Sequence, residues 1–280
     1  MGFKWHIFLL MVICYCQIAE WGYENNGAYK WPIMYPTCGD NLQSPVNINI
    51  FLAPTSPRLG RLRFTGYNTP AWLTVKNDGH TALVEVKSNA YIEGGGLHGR
   101  YKLTQFHFHW GSDNTRGSEH TINGVPARME VHLVHYKESL GSFQSAQNFP
   151  GGLTVLGILY SGSMTNNGAY NDLVNKLSLV LPPGSTPVAL QPQALLSLFP
   201  PLVGNYFRYT GSLTTPPCSQ SVIWTVFQKT IPIANRQLQS FRQLFSSEKN
   251  VMFPVRLQNN YRPTQPLNRR IVESSSFLVF

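Results

Sequence analysis

The chain has 280 residues, of which 42% are hydrophobic and 12% charged, and a formal charge of +9. That length and apolar fraction bury a sizeable core and exclude a disordered chain. The basic residues are scattered apart from short groups such as Arg58, Arg61, Arg63 and Arg269-Arg270. They read as a solvated surface, and no nucleic-acid motif accompanies them.

Residues 1–19 have the layout of a secretory signal peptide: Lys4, an apolar run from Ile7 to Tyr15, then small or neutral residues to Ala19. Cleavage is expected after Ala19, with Cys16 as the alternative site and an uncleaved anchor as the alternative reading. Residues 20–280 are then one domain. Its formal charge is +8, since Lys4 is the only Lys, Arg, Asp or Glu removed. No later run is apolar enough to span a bilayer, and Phe277-Leu278-Val279-Phe280 is too short for a lipid-anchor signal. No Asn-x-Ser/Thr acceptor occurs. Cys14 and Cys16 leave with the signal, so Cys38 and Cys218 remain. In an oxidising compartment the pair reads as a disulfide; two free thiols are the alternative.

Residues 20–45 are dense in Tyr, Trp, Asn, Gly and Pro and read as an irregular arm laid over a body. Leu59 to Phe64 alternates weakly as a strand. Trp72 to Lys76 and Thr81 to Lys87 are two strands joined at Asn77-Asp78-Gly79-His80, where Asp-Gly is a strong hairpin signal. Gly94-Gly95-Gly96 and Asn123-Gly124 break the chain on either side of the next strand. Leu153 to Tyr160 is a nearly continuous apolar run, as expected of a strand buried on both faces. Tyr170 to Leu179 reads as helical, and a short helix falls near Ala194-Leu195-Leu196. Gln220 to Lys229 is a strand. Asn235 to Phe245 is the best helix, with Leu238, Phe241, Leu244 and Phe245 on one face.

The chemistry concentrates in two strands. In Gln105-Phe106-His107-Phe108-His109-Trp110 the period of two puts Gln105, His107 and His109 on one face and three aromatics on the other. In Met129-Glu130-Val131-His132-Leu133-Val134-His135-Tyr136 it puts Glu130, His132, Val134 and Tyr136 together. If the strands are neighbours, His132 faces the same point as His107 and His109. Three imidazoles with an open fourth position are the donor set of a catalytic zinc site, and no Cys lies near to close it. Gln105 and Glu130 each precede a His by two on its own face, where an acceptor can fix the ring tautomer. No His-Glu-x-x-His helix of a zinc peptidase occurs.

Gln-Phe-His-Phe-His-Trp at 105–110, Gly-Ser-Glu-His-Thr at 117–121, Met-Glu-Val-His-Leu-Val-His at 129–135 and Gly-Ser-Leu-Thr-Thr-Pro-Pro at 211–217 together resemble the α-class carbonic anhydrases of secreted type. The resemblance runs from Trp21-Gly22-Tyr23 to Tyr261-Arg262-Pro263. It implies a mostly β (α+β) fold, a single domain around a large twisted, mainly antiparallel sheet with short peripheral helices. It implies one Zn²⁺ on His107, His109 and His132, oriented by Gln105, the Asn260 carbonyl and Glu130. Thr214 would accept a hydrogen bond from hydroxide on the zinc and pass its own proton to Glu119. Thr215 would help line the anion site. Val134, Val155, Leu213, Val222 and Trp224 would form the apolar CO₂ pocket, although ordinary core packing explains Val222 and Trp224 equally well. His80 would carry the proton to solvent, though by itself it reads as an exposed turn residue; Tyr23 and Gln105 would line the water path.

The activity so implied is reversible hydration of CO₂ to bicarbonate, in a secreted enzyme inhibited by sulfonamides and anions. Two departures from the family pattern bear on proton transfer. Asp78 stands where Asn is common and could raise the pKa of His80, and Leu83 replaces a common polar residue. His120 and His135 are expected to be packed rather than ligating, and His98 to lie on the surface. The alternative function is a binding or matrix module of the same fold, which the complete set of His107, His109, His132, Glu119 and Thr214 argues against.

Overall fold

The computed structural model describes residues 21–24, 27–200, 203–246 and 254–275. The expected signal peptide and the last five residues lie outside them. Among the described residues one sheet of 13 strands runs through the domain. Its central strands, in spatial order, are Pro70–Asn77, Ala82–Lys87, Tyr101–Trp110, Met129–Lys137, Leu153–Ser163, Val222–Phe227 and Tyr206–Gly211. Most pairs are antiparallel. Leu153–Ser163 runs parallel to Val222–Phe227 and to Ile231–Ala234. A small sheet of Asn47–Ile48, Thr121–Ile122 and Val125–Pro126 stands apart.

The period-two pattern explains the two faces. Phe106, Phe108, Trp110, Met129, Val131 and Leu133 are buried in the larger apolar cluster on one face. On the other face Val134, Val155, Val222, Trp224 and Tyr209 form a second cluster. Leu153–Ser163 contributes to both and is buried along its first eight residues, as its unbroken apolar run requires.

The Tyr101–Trp110 strand does not alternate uniformly. A register shift between Leu103 and Gln105 inserts Thr104 as an extra residue. Before it Tyr101 and Leu103 face the larger cluster; after it Phe106, Phe108 and Trp110 do. A bulge reverses the parity of everything downstream, and here it turns Gln105, His107 and His109 away from the larger core.

Several expected elements shift. The arm at 20–45 is not wholly irregular: it contains an α-helix at Gly27–Met34 and a 3₁₀ turn at Pro36–Gly39. Buried Trp31 anchors that helix, and its indole N–H donates to Gly22 O at 2.9 Å. The weak strand begins later, at Leu62–Thr65. The Tyr170 to Leu179 helix divides into α Asn171–Lys176 flanked by 3₁₀ turns. The helix from Asn235 ends at Phe241 rather than Phe245. Beyond it the Phe245 N–H donates to Leu181 O and the Leu257 N–H to Leu244 O, so tertiary bonds replace the next helical turn.

Cys38 and Cys218 form the expected disulfide, with Cα atoms 4.9 Å apart. It joins the N-terminal segment to the loop that carries Thr214.

Candidate metal centre

The two histidine strands pair in the register that the chemistry needs. His107 lies directly opposite His132, and His109 opposite Glu130. One ring nitrogen from each of His107, His109 and His132 falls within a span of 4.8 Å.

Each ring is held from behind. His107 Nδ1 lies 2.9 Å from Gln105 Oε1, His109 Nδ1 2.7 Å from Asn260 O, and His132 Nε2 2.8 Å from Glu130 Oε1. An acceptor at that nitrogen fixes the ring proton there, which leaves His107 Nε2, His109 Nε2 and His132 Nδ1 as bare lone pairs. Two of these, His109 Nε2 and His132 Nδ1, face each other at 3.0 Å. Neither has a proton to give the other, so a cation between the three nitrogens fits the donor set. Burial, with His109 and His132 beside it, holds His107 well below the usual histidine pKa. It lowers His109 to about 4, and it lowers His132 although Glu130 pulls the other way. All three are therefore neutral at pH 7, the form that binds a metal.

Glu130 is a buried carboxylate with four hydrogen bonds. Oε1 accepts from His132 Nε2 and from His120 Nδ1 at 2.7 Å; Oε2 accepts from the backbone N–H of Glu119 and of His120. Burial acts to raise its pKa, but the partners His120 and His132 bring it well below the usual range. His120, Glu130 and His132 are also close enough to suggest a cation site, but these bonds already occupy the atoms that would ligate. His120 Nε2 meets Tyr209 Oη at 2.6 Å, and His135 bonds to Tyr67 Oη and Leu133 O, so both are packed residues as expected. His98 is exposed.

Glu119 Oε1 accepts the Arg262 backbone N–H at 2.8 Å, while Oε2 is buried without a partner in hydrogen-bonding geometry. Burial pushes its carboxyl up to about 7, against the pull of His132, the Arg262 N–H and the Thr214 hydroxyl. Thr214 is buried and Thr215 half-buried. Val134, Val155, Val222 and Trp224 are packed in the second apolar cluster with Leu213 at its margin, and the Trp224 ring lies 4.7 Å from His132 and 4.8 Å from His120.

His80 is half-buried on the hairpin loop, and Trp21 stacks on its ring with centroids 3.8 Å apart and planes 13° from parallel. Asp78 Oδ1 accepts the backbone N–H groups of His80 and Thr81 and so shapes the turn.

Three contributors escape sequence reasoning. Trp21 is one. Arg262 is another: its backbone holds Glu119, while its buried guanidinium reaches Gln43, Ser44 and Cys38 O. The third is the Asn260 side chain, which bonds to Trp110 N, Phe108 O and His80 O and so ties both histidine segments to one residue. Aromatic density at 20–45 was the available signal for Trp21; nothing local marks the other two.

A mostly β domain with three neutral, outer-bonded histidines around one point, two buried and His107 half-buried, is the architecture of a metalloenzyme. The chain belongs to the eukaryotic-type carbonic anhydrase family, whose model matches residues 26–276. It is 37% identical to carbonic anhydrase 4 of Oryctolagus cuniculus over 265 residues, 94% of this chain and 83% of the relative. It is 38% identical to carbonic anhydrase 7 of Homo sapiens (91% of this chain, 97% of the relative) and 34% identical to carbonic anhydrase 6 of Bos taurus (96% and 84%).

Proposed function

We propose that this protein is a zinc enzyme that interconverts CO₂ and bicarbonate, with His107, His109 and His132 as the ligands. The facing lone pairs of His109 and His132 carry the reading, because with both outer nitrogens protonated a cation satisfies the two inner ones together. A zinc ion supplies a Lewis acid that lowers the pKa of a water to about 7, a value known from carbonic anhydrases themselves.

The residues around it would do the rest. Gln105, Asn260 and Glu130 hold the three rings in the right tautomer. Thr214 gives its hydroxyl proton to Glu119, so only its lone pairs face the centre, and the attacking oxygen must point its own proton at Thr214. The Arg262 N–H keeps Glu119 in place for that bond. Thr215 and the Thr214 N–H line the anion site, where sulfonamides and small anions are expected to inhibit. Val134, Val155, Leu213, Val222 and Trp224 exclude water from the side where CO₂ lies. His80 moves the product proton to solvent, as an imidazole at a cavity rim can, and Tyr23 and Gln105 line its path.

A secreted setting belongs to the same reading. It is supported by the disulfide and the leader-like residues 1–19. No helix among the described residues is long and apolar enough to cross a membrane.

The test is to strip the protein with a chelator and titrate zinc back while following CO₂ hydration. One equivalent should restore the rate in the wild type, and His107→Ala should hold no zinc. Undiminished hydration by stripped protein, or normal zinc binding by His107→Ala, would contradict the reading.

A further inference from the structure

The sheet face that carries the histidines continues outward as an open groove. Leu83 lies directly opposite His107, and Glu85 opposite Gln105. One strand further, Trp72 lies opposite Lys87, Thr74 opposite Glu85 and Lys76 opposite Leu83. Directly opposed residues share a face, so these side chains form one surface running from the metal centre to the Pro70–Asn77 strand. Phe143 and Tyr136 wall the groove from the other side, and Thr104 reaches its floor through the bulge. The cavity is about 860 Å³, within the range of small-molecule sites.

Its far end combines two unmatched features. Trp72 is 67% exposed, and no ring packs on it among the described residues. Lys87, beside it, has no ion-pair partner among the described residues. The other two charges of the groove cancel: Lys76 Nζ pairs with Glu85 Oε1 at 2.5 Å. The groove therefore offers one open indole face and one uncompensated ammonium, on a cross-strand pair whose Cβ atoms stand about 5 Å apart. A planar ring that carries its carboxylate directly spans that separation, stacking on the indole while its charge meets the ammonium. Phe143, across the groove, adds apolar surface on the same side.

We propose that the Trp72–Lys87 end of this groove is a binding site for aromatic carboxylates that needs no metal. It does not rest on the proposed reaction, because its test reads binding rather than turnover.

The experiment is calorimetric titration of 2-naphthoate into zinc-loaded protein and into chelator-stripped protein. Both should bind with similar affinity. Trp72→Ala and Lys87→Ala should each weaken binding at least fivefold in both forms, with the fold and the zinc content unchanged. The neutral isostere 2-naphthalenemethanol should bind at least fivefold more weakly than 2-naphthoate to wild type, and no differently from it to Lys87→Ala. Binding that disappears on stripping and ignores both substitutions would put the ligand on the metal and overturn the proposal. So would equal affinity for acid and alcohol in the wild type, or no binding at millimolar ligand.

Discussion

His109 Nε2 and His132 Nδ1 face each other at 3.0 Å while their outer nitrogens are held by Asn260 O and Glu130 Oε1. With the outer nitrogens protonated, the two inner ones are acceptors that a cation can bridge. Zinc should accordingly stabilise the folded protein. At a thousandfold excess over Kd the gain is about 4 kcal/mol, which corresponds to a rise in melting temperature of several degrees. Calorimetric melts with and without zinc should show it in the wild type and not in His107→Ala.

Glu130→Gln should weaken zinc binding by about 10- to 100-fold. The amide replaces one carboxylate oxygen with a donor. Four N–H groups now converge on those two oxygens, and at least one would meet an N–H instead. Competition with a chromogenic chelator measures the change; unaltered affinity would remove Glu130 as the support of His132.

Thr214→Val should keep the zinc and lose about two orders of magnitude in kcat/KM, since orientation rather than binding is removed. Metal analysis on the same sample separates the two. A loss of zinc in parallel with activity would show that Thr214 acts on the fold of the site.

If His80 is the shuttle, its stack on Trp21 makes proton transfer sensitive to the arm. His80→Ala should slow turnover at low buffer, with added imidazole restoring it. Trp21→Ala should change the low-buffer rate and leave the rate at saturating buffer alone. Equal low-buffer rates in all three proteins would exclude His80 as the shuttle.

The strand pattern and the shared face of each histidine strand were legible from a local period of two, and the hairpin at Asp78-Gly79 from its turn residues; the convergence of the three histidines needed the further step that the two strands pair. The bulge at Thr104 was not: its parity flip depends on pairing with Met129–Lys137, and within Gln105–Trp110 the alternation looks regular. The early end of the Asn235 helix was equally hidden, because partners at Leu181 and Leu257 outbid a good apolar stripe. Arg262 and Asn260 act on the centre from 143 and 151 positions along the chain through backbone bonds that no spacing announces.

His135 gives the fold an acid liability on the far face of the His132 strand. Burial lowers its pKa to about 3, against about 6.5 when unfolded. Between those values the unfolded chain holds a proton that the folded one lacks, so this group's contribution falls as pH drops from 6.5 towards 3, at up to about 1.4 kcal/mol per pH unit. His135→Gln can still accept from Tyr67 and should take up about one proton fewer on unfolding near pH 5. Denaturant titrations across pH 4–7 read this as a shallower slope; an unchanged slope would assign the acid sensitivity elsewhere.

The most direct measurement is stopped-flow CO₂ hydration by the purified protein, with zinc counted on the same sample. One zinc per chain and sulfonamide-sensitive hydration is the expected result. One zinc per chain with no hydration above buffer would contradict the account, leaving a metal-binding module on a carbonic anhydrase fold.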